Sequence, residues 1–442
     1  MEMARDIVRR AQAAGASDAE CTISEGDEFG VNVRMREVES LKEAGSRGAG
    51  LRILIGKRTG SSYTSDLSGD GIARLVRSAI ELADITTEDP HAGLPEPEEL
   101  GAIEGDLGLY CGSVADLETG LKIETAKRAE DAALSADPRI ANSEGASFDS
   151  NLGRHVFVNS RGFAGEYRSS YCSLSTSPVA KDGESMERDY WYTMARDFAG
   201  LEDAGEVGRT AAMRAVRRLK PVKVETRKVP VVFEPRTART LLDNIFEAVH
   251  GMSVYRHESF LAGKLGERVA REDVTVIDDG TLPGLFGTSP FDDEGVPSRR
   301  TVVIERGVLK SYLLNTYAAR KLGMKTTGNA SRGLAGNAGI GHGNFFLEKG
   351  VQTPEQILSG VKDGFYVTEL MGFGVNVVTG DYSRGAAGLW IRNGELAFPV
   401  SEVTIAGNLR DMLMGIEAIG GDLEFRGSMA APTLKIGEMT VG

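Results

Sequence analysis

The sequence predicts an α+β fold of two domains, antiparallel sheets with flanking helices, the C-terminal domain mostly β and barrel-like. Three observations point there. Alternating apolar and polar residues recur along the chain, as at Phe29, Val31, Val33 and Met35, which is the period of a half-buried strand. Glycine is abundant, 55 of 442 residues, without a collagen period, as expected of a chain with many turns. Asn393-Gly394 stands between the apolar runs Ala387–Arg392 and Glu395–Val400. Asn-Gly in that setting is a strong hairpin signal, because both residues accept positive φ and match the twist of the strands.

In chain order, residues 2–14 read as an amphipathic helix with Met3, Ile7, Val8 and Ala11 on one face. A β meander follows, through Leu51, Ile53 and Ile55 to about Asp66. Ile72, Leu75, Val76, Ala79, Ile80 and Ala83 mark a second helix, with Ser68 or Asp70 as its cap. Residues 86–114, with Pro90, Pro95 and Pro97 among acidic side chains, read as an exposed connection. A helix from about Ala115 to Ser135 leads to a β region over 139–198, with a hairpin at Val156–Phe163 and a packed aromatic triplet, Tyr190-Trp191-Tyr192. A helix over 202–219 ends in Arg214, Arg217, Arg218 and Lys220, which suit the negative end of a helix dipole.

The domain boundary is placed near 220–227, giving domains 1–222 and 223–442. Beyond it come a strand at Val229–Phe233 and a helix from Pro235 to about His250, with proline in the permitted first turn. Residues 272–313 read as β, Tyr317–Leu322 as helix and 323–345 as a mobile glycine-rich loop. The hairpin Ile304–Leu309 weakly echoes Ile391–Leu396. A helix near Leu409–Ile416 and strands from Leu423 and Leu434 finish the chain. The glycines of Leu370–Gly374 and Gly380–Gly385 admit two readings, a tight barrel corner or a backbone-lined groove for a peptide.

Bulk properties exclude several classes. The net charge of −13 argues against nonspecific nucleic-acid binding. Three distant cysteines, Cys21, Cys111 and Cys172, suggest neither a zinc site nor a disulfide framework, and fit a reducing cytoplasm. The opening MEMARDIVRRAQAAG lacks the apolar stretch of a signal peptide, and no apolar run is long enough to span a membrane.

Chemistry has few candidates. Of five histidines, His257-Glu258 begins like a zinc-peptidase helix but has no second histidine at the right spacing, and Gly251 interrupts a helix joining His250 to His257. Asp292-Asp293-Glu294 reads as a turn salt-bridged to Arg299 and Arg300 rather than a cation loop. Asp278 and Asp279 read as turn residues. Gly339–Asn344 lacks the strand, helix and lysine of a phosphate-binding loop, and no nucleophile elbow occurs.

Three long stretches carry a resemblance: ELMGFGVNVVTGDYSRGAAGLWIRNGE, DDGTLPGLFGTSPFDDEGVPSRRTVVIERGVLKSYLLNTYAARKLG and EFRGSMAAPTLKIGEMTV. They resemble the TldD/PmbA family, specifically its PmbA (TldE) branch. In that family the catalytic branch carries a His-Glu-x-x-x-His helix and a late cysteine ligand. The matching stretches here read RTLLDNIFEAVHG and Phe425–Met429, and neither ligand set is present. The resemblance therefore implies no catalytic or metal residue in this chain. It implies a subunit that pairs with a zinc-bearing, TldD-type partner to form a cytoplasmic peptidase of peptides and small unfolded proteins. The family description as a modulator of DNA gyrase then implies an indirect effect through proteolysis. Asp381 and Arg384 are the candidates for contacting peptide or partner. Two alternatives stay open: a peptidase with unconventional carboxylate and histidine ligands, and a metal-free homodimeric peptide-binding protein, homodimerisation being also an expectation for the chain without its partner.

Overall fold

A computed structural model describes residues 1–442. Two long hairpins and their partners build the first half. Helix α1 (Glu2–Ala13) precedes β1 (Asp18–Arg34), β2 (Glu37–Ile55) and β3 (Arg58–Thr64); α2 (Gly69–Ile85) and α3 (Thr119–Ala136) lead to β4 (Ile140–Asn159), β5 (Ala164–Asp182), β6 (Ser185–Arg188) and β7 (Trp191–Ala195), and α4 (Ala204–Val216) closes it. The strands form one antiparallel sheet in the order β3-β2-β1-β4-β5-β6, with β7 also on β5.

The length of β1 lets one strand serve two cores. Its Ile23 packs with Ile7, Leu51, Ile72 and Leu75 from α1, β2 and α2. Its Phe29, Val31 and Val33 pack with Phe148, Leu174, Ala126 and Val207, under α3 and α4. The predicted meander is thus longer than expected, since residues 37–47 of β2 are strand although nearly all exposed. No apolar alternation marks a segment that water covers on both faces.

The second half adds β8 (Arg227–Phe233), α5 (Pro235–Val249), α6 (Gly251–Tyr255), β9 (Val276–Asp279), β10 (Arg300–Glu305), β11 (Val308–Leu309), α7 (Thr316–Leu322), β12 (Ala330–Ser331), β13 (Gly339–Ile340) and β14 (Asn344–Leu347). Then come α8 (Pro354–Ser359), β15 (Asp363–Met371), β16 (Asp381–Arg392), β17 (Glu395–Asn408), α9 (Leu409–Met414), β18 (Ile416–Ile419), β19 (Met429–Ala430) and β20 (Leu434–Val441). Strands β17-β16-β15-β8-β20 hydrogen-bond in sequence, and Ile405 and Ala406 of β17 pair with Val441 and Thr440 of β20, closing a five-stranded barrel. The barrel expectation holds, and closure removes the free edges of these strands.

The Asn393-Gly394 hairpin is present, with φ of 51° and 87°. Its strands bury Trp390, whose indole Nε1 donates to Asp363 at 2.7 Å. At Gly388 the barrel is so tight that a Cβ would lie 1.9 Å from the Tyr366 carbonyl oxygen. The barrel-corner reading of this glycine-rich stretch therefore has a steric cause.

Four expectations are corrected. Residues 86–114 are not a free connection: Leu94 and Leu109 are buried, and the Gly101 and Ile103 amides donate to the Gly295 and Pro290 carbonyls at 2.9 Å each. The arginines ending α4 do more than complement a dipole, as Arg214 reaches the buried carboxylates of Glu234 (2.6 Å) and Asp189 (3.2 Å). No strand starts at Leu423; β18 and β19 flank that segment instead. Tyr190 lies just outside β7 and is 46% exposed, so of the triplet only Trp191 and Tyr192 are partly buried, with Arg426 over the Trp191 ring at 4.4 Å. A Gly388→Ala substitution is expected to destabilise the protein by ~1–3 kcal/mol through overpacking. A denaturant midpoint equal to that of the parent chain would contradict the tight-barrel account.

Candidate functional site

The outer face of α5 carries charged side chains off its buried stripe. Proline at its first position starts the helix, and Ala238, Leu241, Leu242, Ile245 and Val249 bury one stripe against the core. Arg239 and Asp243 lie off that stripe, one turn apart. Asp243 is exposed at its edge, but the surrounding protein atoms still raise its carboxyl above the usual range, against the pull of Arg239, His342 and Arg384. The His342 ring meets the edge of Phe246 at 4.9 Å, and its Nδ1 lies 2.8 Å from the Gly343 carbonyl. From β16, the Arg384 Nε and the Tyr382 hydroxyl are buried without a hydrogen-bond partner. A strand, a helix and a loop thus bring Asp243, His342 and Arg384 within electrostatic range of one another.

His342 also lines a polar cavity of about 230 Å³ between Tyr167 of β5 and the loops around 286–299 and 328–343. Its walls hold buried carboxyls. Asp278 accepts from Asn329 Nδ2 and the Gly343 amide, both at 2.7 Å, and burial raises it to about 6. Asp292 accepts from the Glu294, Val296 and Ala330 amides at 2.9–3.0 Å. Burial, and then the neighbouring Glu294, push Asp292 up to about 8. His155 Nε2 lies 3.4 Å from Asp293, while burial lowers its pKa.

The acidic turn is therefore not bridged to Arg299 and Arg300. It is capped by backbone amides, and Arg300 lies 3.9 Å from Asp279 instead. The glycine loop is not mobile either. Gly343 packs against Gly280 so closely that a Cβ would come within 2.7 Å of its nitrogen, and Asp278 holds the Gly343 amide.

The predicted contact residues separate. Asp381 accepts from Thr379 Oγ1 at 2.7 Å and from Asn408 Nδ2 at 3.3 Å, a local turn-fixing duty. Arg384, three residues on, faces the other side of β16 together with Tyr382. His250 ends α5, and exposed His257 follows α6 with φ of 57°. Sequence reasoning missed Asp243 and His342. It also missed Phe373, whose side chain is fully exposed (101%) on the loop before β16. That loop is braced: Ser383 donates to the Gly374 carbonyl at 2.7 Å, and a Cβ on Gly374 would come within 1.9 Å of the Ser383 oxygen. The position of Phe373 in a Gly-Phe-Gly triplet was the available signal.

Models of the PmbA/TldA metallopeptidase domain 1, central domain and C-terminal domain match residues 19–83, 112–219 and 226–442. The metalloprotease PmbA of Escherichia coli O157:H7 is 40% identical over 97% of this chain and 93% of its own length. The chain belongs to the PmbA/TldD metallopeptidase family. A PmbA homologue of Haemophilus influenzae is 37% identical over 98% of this chain and 94% of its own. A crystal structure from Bacteroides thetaiotaomicron, provisionally named a modulator of DNA gyrase, superposes with a TM-score of 0.93 at 28% identity, covering all of this chain and 98% of that one. TldE of Thermococcus kodakarensis shares the fold at a TM-score of 0.89 and 21% identity, with both chains fully covered.

Within this PmbA/TldD-family chain, α5 occupies the stretch that the resemblance matches to the zinc-bearing helix of the catalytic branch. Asp243 and Glu247 sit one turn apart, Asn244 donates to the Thr240 carbonyl at 2.8 Å, and no three His, Cys, Asp or Glu side chains converge on one point. No helix is long and apolar enough to cross a membrane.

The raised Asp292 sets a pH test. A carboxyl near 4 when unfolded and about 8 when folded binds more protons in the folded state, so its contribution to stability declines as pH rises from about 4 to 8. Asp292→Asn removes this slope whatever fixed loss accompanies it. Its stability relative to the parent should therefore improve from pH 5 to 8, by at most about 1.4 kcal/mol per pH unit. A pH-independent difference in urea-unfolding free energy would contradict the assignment.

Proposed function

We propose that this chain is the PmbA/TldE-type, non-catalytic subunit of a cytoplasmic metallopeptidase acting on peptides and small unfolded proteins. The zinc ion and its ligands belong, on this reading, to a TldD-type partner. One observation carries it: beside the helix matched to the zinc-binding stretch stands an Asp243–His342–Arg384 surface, with Phe373 fully exposed on a braced loop. An uncovered aromatic on a hydrogen-bonded loop, across the hairpin from an arginine without an ion pair, is the composition of an interface anchor, since aromatic and arginine side chains dominate binding energetics. Family membership and the metalloprotease names of the relatives support the peptidase context.

In this reading the chain helps wall the chamber around the partner's active site. Arg384 contributes positive charge for peptide carbonyls or carboxylates, and Phe373 contributes apolar area. Because the barrel is closed, addition of an extended peptide as a strand is left to the outer strands of the other sheets, such as β3. The acidic net charge suits basic or neutral peptides and accords with a gyrase effect exerted indirectly.

The experiment is cleavage of an unstructured peptide by this chain, by a TldD-type partner, and by both. Cleavage is expected with both and not with this chain alone. Chelator-sensitive cleavage by this chain alone would overturn the reading in favour of an unconventional peptidase; peptide binding by a dimer of this chain, with no effect of the partner, would favour the binding protein. Phe373→Ala should weaken pairing by roughly tenfold or more, as loss of an aromatic anchor does. Arg384→Ala should lower cleavage in the pair without shifting the unfolding midpoint greatly. Unchanged pairing and cleavage in both variants would remove this surface from consideration.

A further inference from the structure

A second cavity of about 230 Å³ lies where the two halves of the chain meet, at the start of α5. Five of its lining residues are arginines: Arg214, Arg217, Arg236, Arg239 and Arg426. Their carboxylate partners do not balance them. Buried Glu234 is shared by Arg214 at 2.6 Å, Arg217 at 3.3 Å and Arg236 at 3.6 Å. Buried Asp189 is shared by Arg214 at 3.2 Å and Arg236 at 3.3 Å. In the buried set, three guanidinium groups therefore face two carboxylates. Arg426 is matched by Glu202 (2.6 Å) and the solvated Glu424 (2.9 Å), whereas Arg239 makes no ion pair within 4 Å. Counting all of these, five cations meet four anions, and exposed Asp243, one turn from Arg239 on α5, is a further carboxylate that interacts with Arg239.

Two further features agree. The Nε atoms of Arg217 and Arg236 have neither solvent nor a hydrogen-bond partner. Burial, and then the charge of Arg214, push the Arg217 pKa down, whereas, against burial, Glu234 and Asp189 push that of Arg214 up, so the two carboxylates serve Arg214 before Arg217. The α5 helix also begins in the cavity wall at Pro235, which adds the positive end of its dipole. Trp191 and Tyr192 stand in the same wall, with Arg426 at 4.4 Å and Arg214 at 5.2 Å from the centre of the Trp191 ring.

We propose that this cavity is a binding site for an oxyanion, a carboxylate or phosphate group, on a small ligand whose apolar part lies against Trp191 and Tyr192. Guanidinium groups bind planar carboxylates and phosphates through paired, charge-assisted hydrogen bonds, and the excess of guanidinium over carboxylate in the buried set favours one added anion. The site lies at the first turn of α5, ahead of the Asp243–Arg384 surface, and the proposal stands apart from the subunit assignment.

The test titrates the full-length chain with four probes: N-acetylphenylalanine, its neutral amide, phenyl phosphate and inorganic phosphate. Trp191 fluorescence and calorimetry report binding; the other tryptophan, Trp390, is buried in the barrel. At least one aromatic anion should bind more tightly than the amide, and its affinity should fall as salt rises. Arg239→Gln should weaken it about tenfold with an unchanged unfolding midpoint, because Arg239 holds no ion pair. Preference for N-acetylphenylalanine assigns a peptide-type carboxylate, and preference for phenyl phosphate a phosphoryl group. No binding by any anion, equal binding of the amide, or insensitivity to Arg239→Gln would overturn the proposal.

Discussion

The carboxylate of Glu234 must be neutralised where it is buried, and that requirement holds the two halves of the chain together. A buried charge without partners is far costlier than one that is paired and hydrogen-bonded. Glu234 is the residue between the barrel strand β8 and helix α5, and its partners Arg214 and Arg217 come from the end of α4 in the first half. Asp189, just before β7, completes the set through Arg214 and Arg236. Docking α4 against the start of α5 thereby sets where α5 points, and with it the positions of Asp243 and Phe246. A second buried ion cluster does the same at another junction: Glu20 of β1 lies with Arg52 at 2.9 Å and with Arg332 of the C-terminal half. Together with the threaded segment 86–114, these contacts join the halves through polar groups as much as through apolar area.

Barrel closure is the complementary constraint. It requires backbone approaches that glycine alone permits at Gly388, and it fixes β16 so that Tyr382 and Arg384 lie on the face opposite Asp381, which serves its own turn. The neighbouring loop is then hydrogen-bonded to Ser383, with Phe373 in solvent on a fixed backbone. Rigidity of that kind lowers the entropic cost of burying an aromatic side chain in an interface. The candidate surface thus follows from two scaffolds: a charge network that aims α5, and a closed barrel that aims β16.

Much of this was legible in the sequence where the signal is local. Asn393-Gly394 specified its hairpin, Ser68 caps α2 by accepting from the Gly71 amide at 3.2 Å, and Ile7, Val8 and Ala11 of the α1 stripe are buried, although Met3 is exposed and Ala4 takes its place. What was misread depends on distant partners. The α4 arginines look like dipole complements until Glu234 and Asp189 are placed beside them. The proline-rich stretch looks exposed because its amides bond to carbonyls near 290–295, far along the chain. The acidic turn seemed to need Arg299 and Arg300, but amides of its own loop and of Ala330 cap Asp292. Arg384 was legible as a candidate, whereas Asp243 and His342 gain meaning only once helix and loop converge.

The central claim is that the α5 surface has the chemistry of an interface rather than that of a metal centre. Zinc stoichiometry of the isolated chain, measured after loading with excess zinc and extensive dialysis, tests it most directly. The account predicts clearly substoichiometric zinc, unaltered by Asp243→Ala. One tightly held zinc per chain, lost in Asp243→Ala or His250→Ala, would contradict it and return catalysis to this subunit.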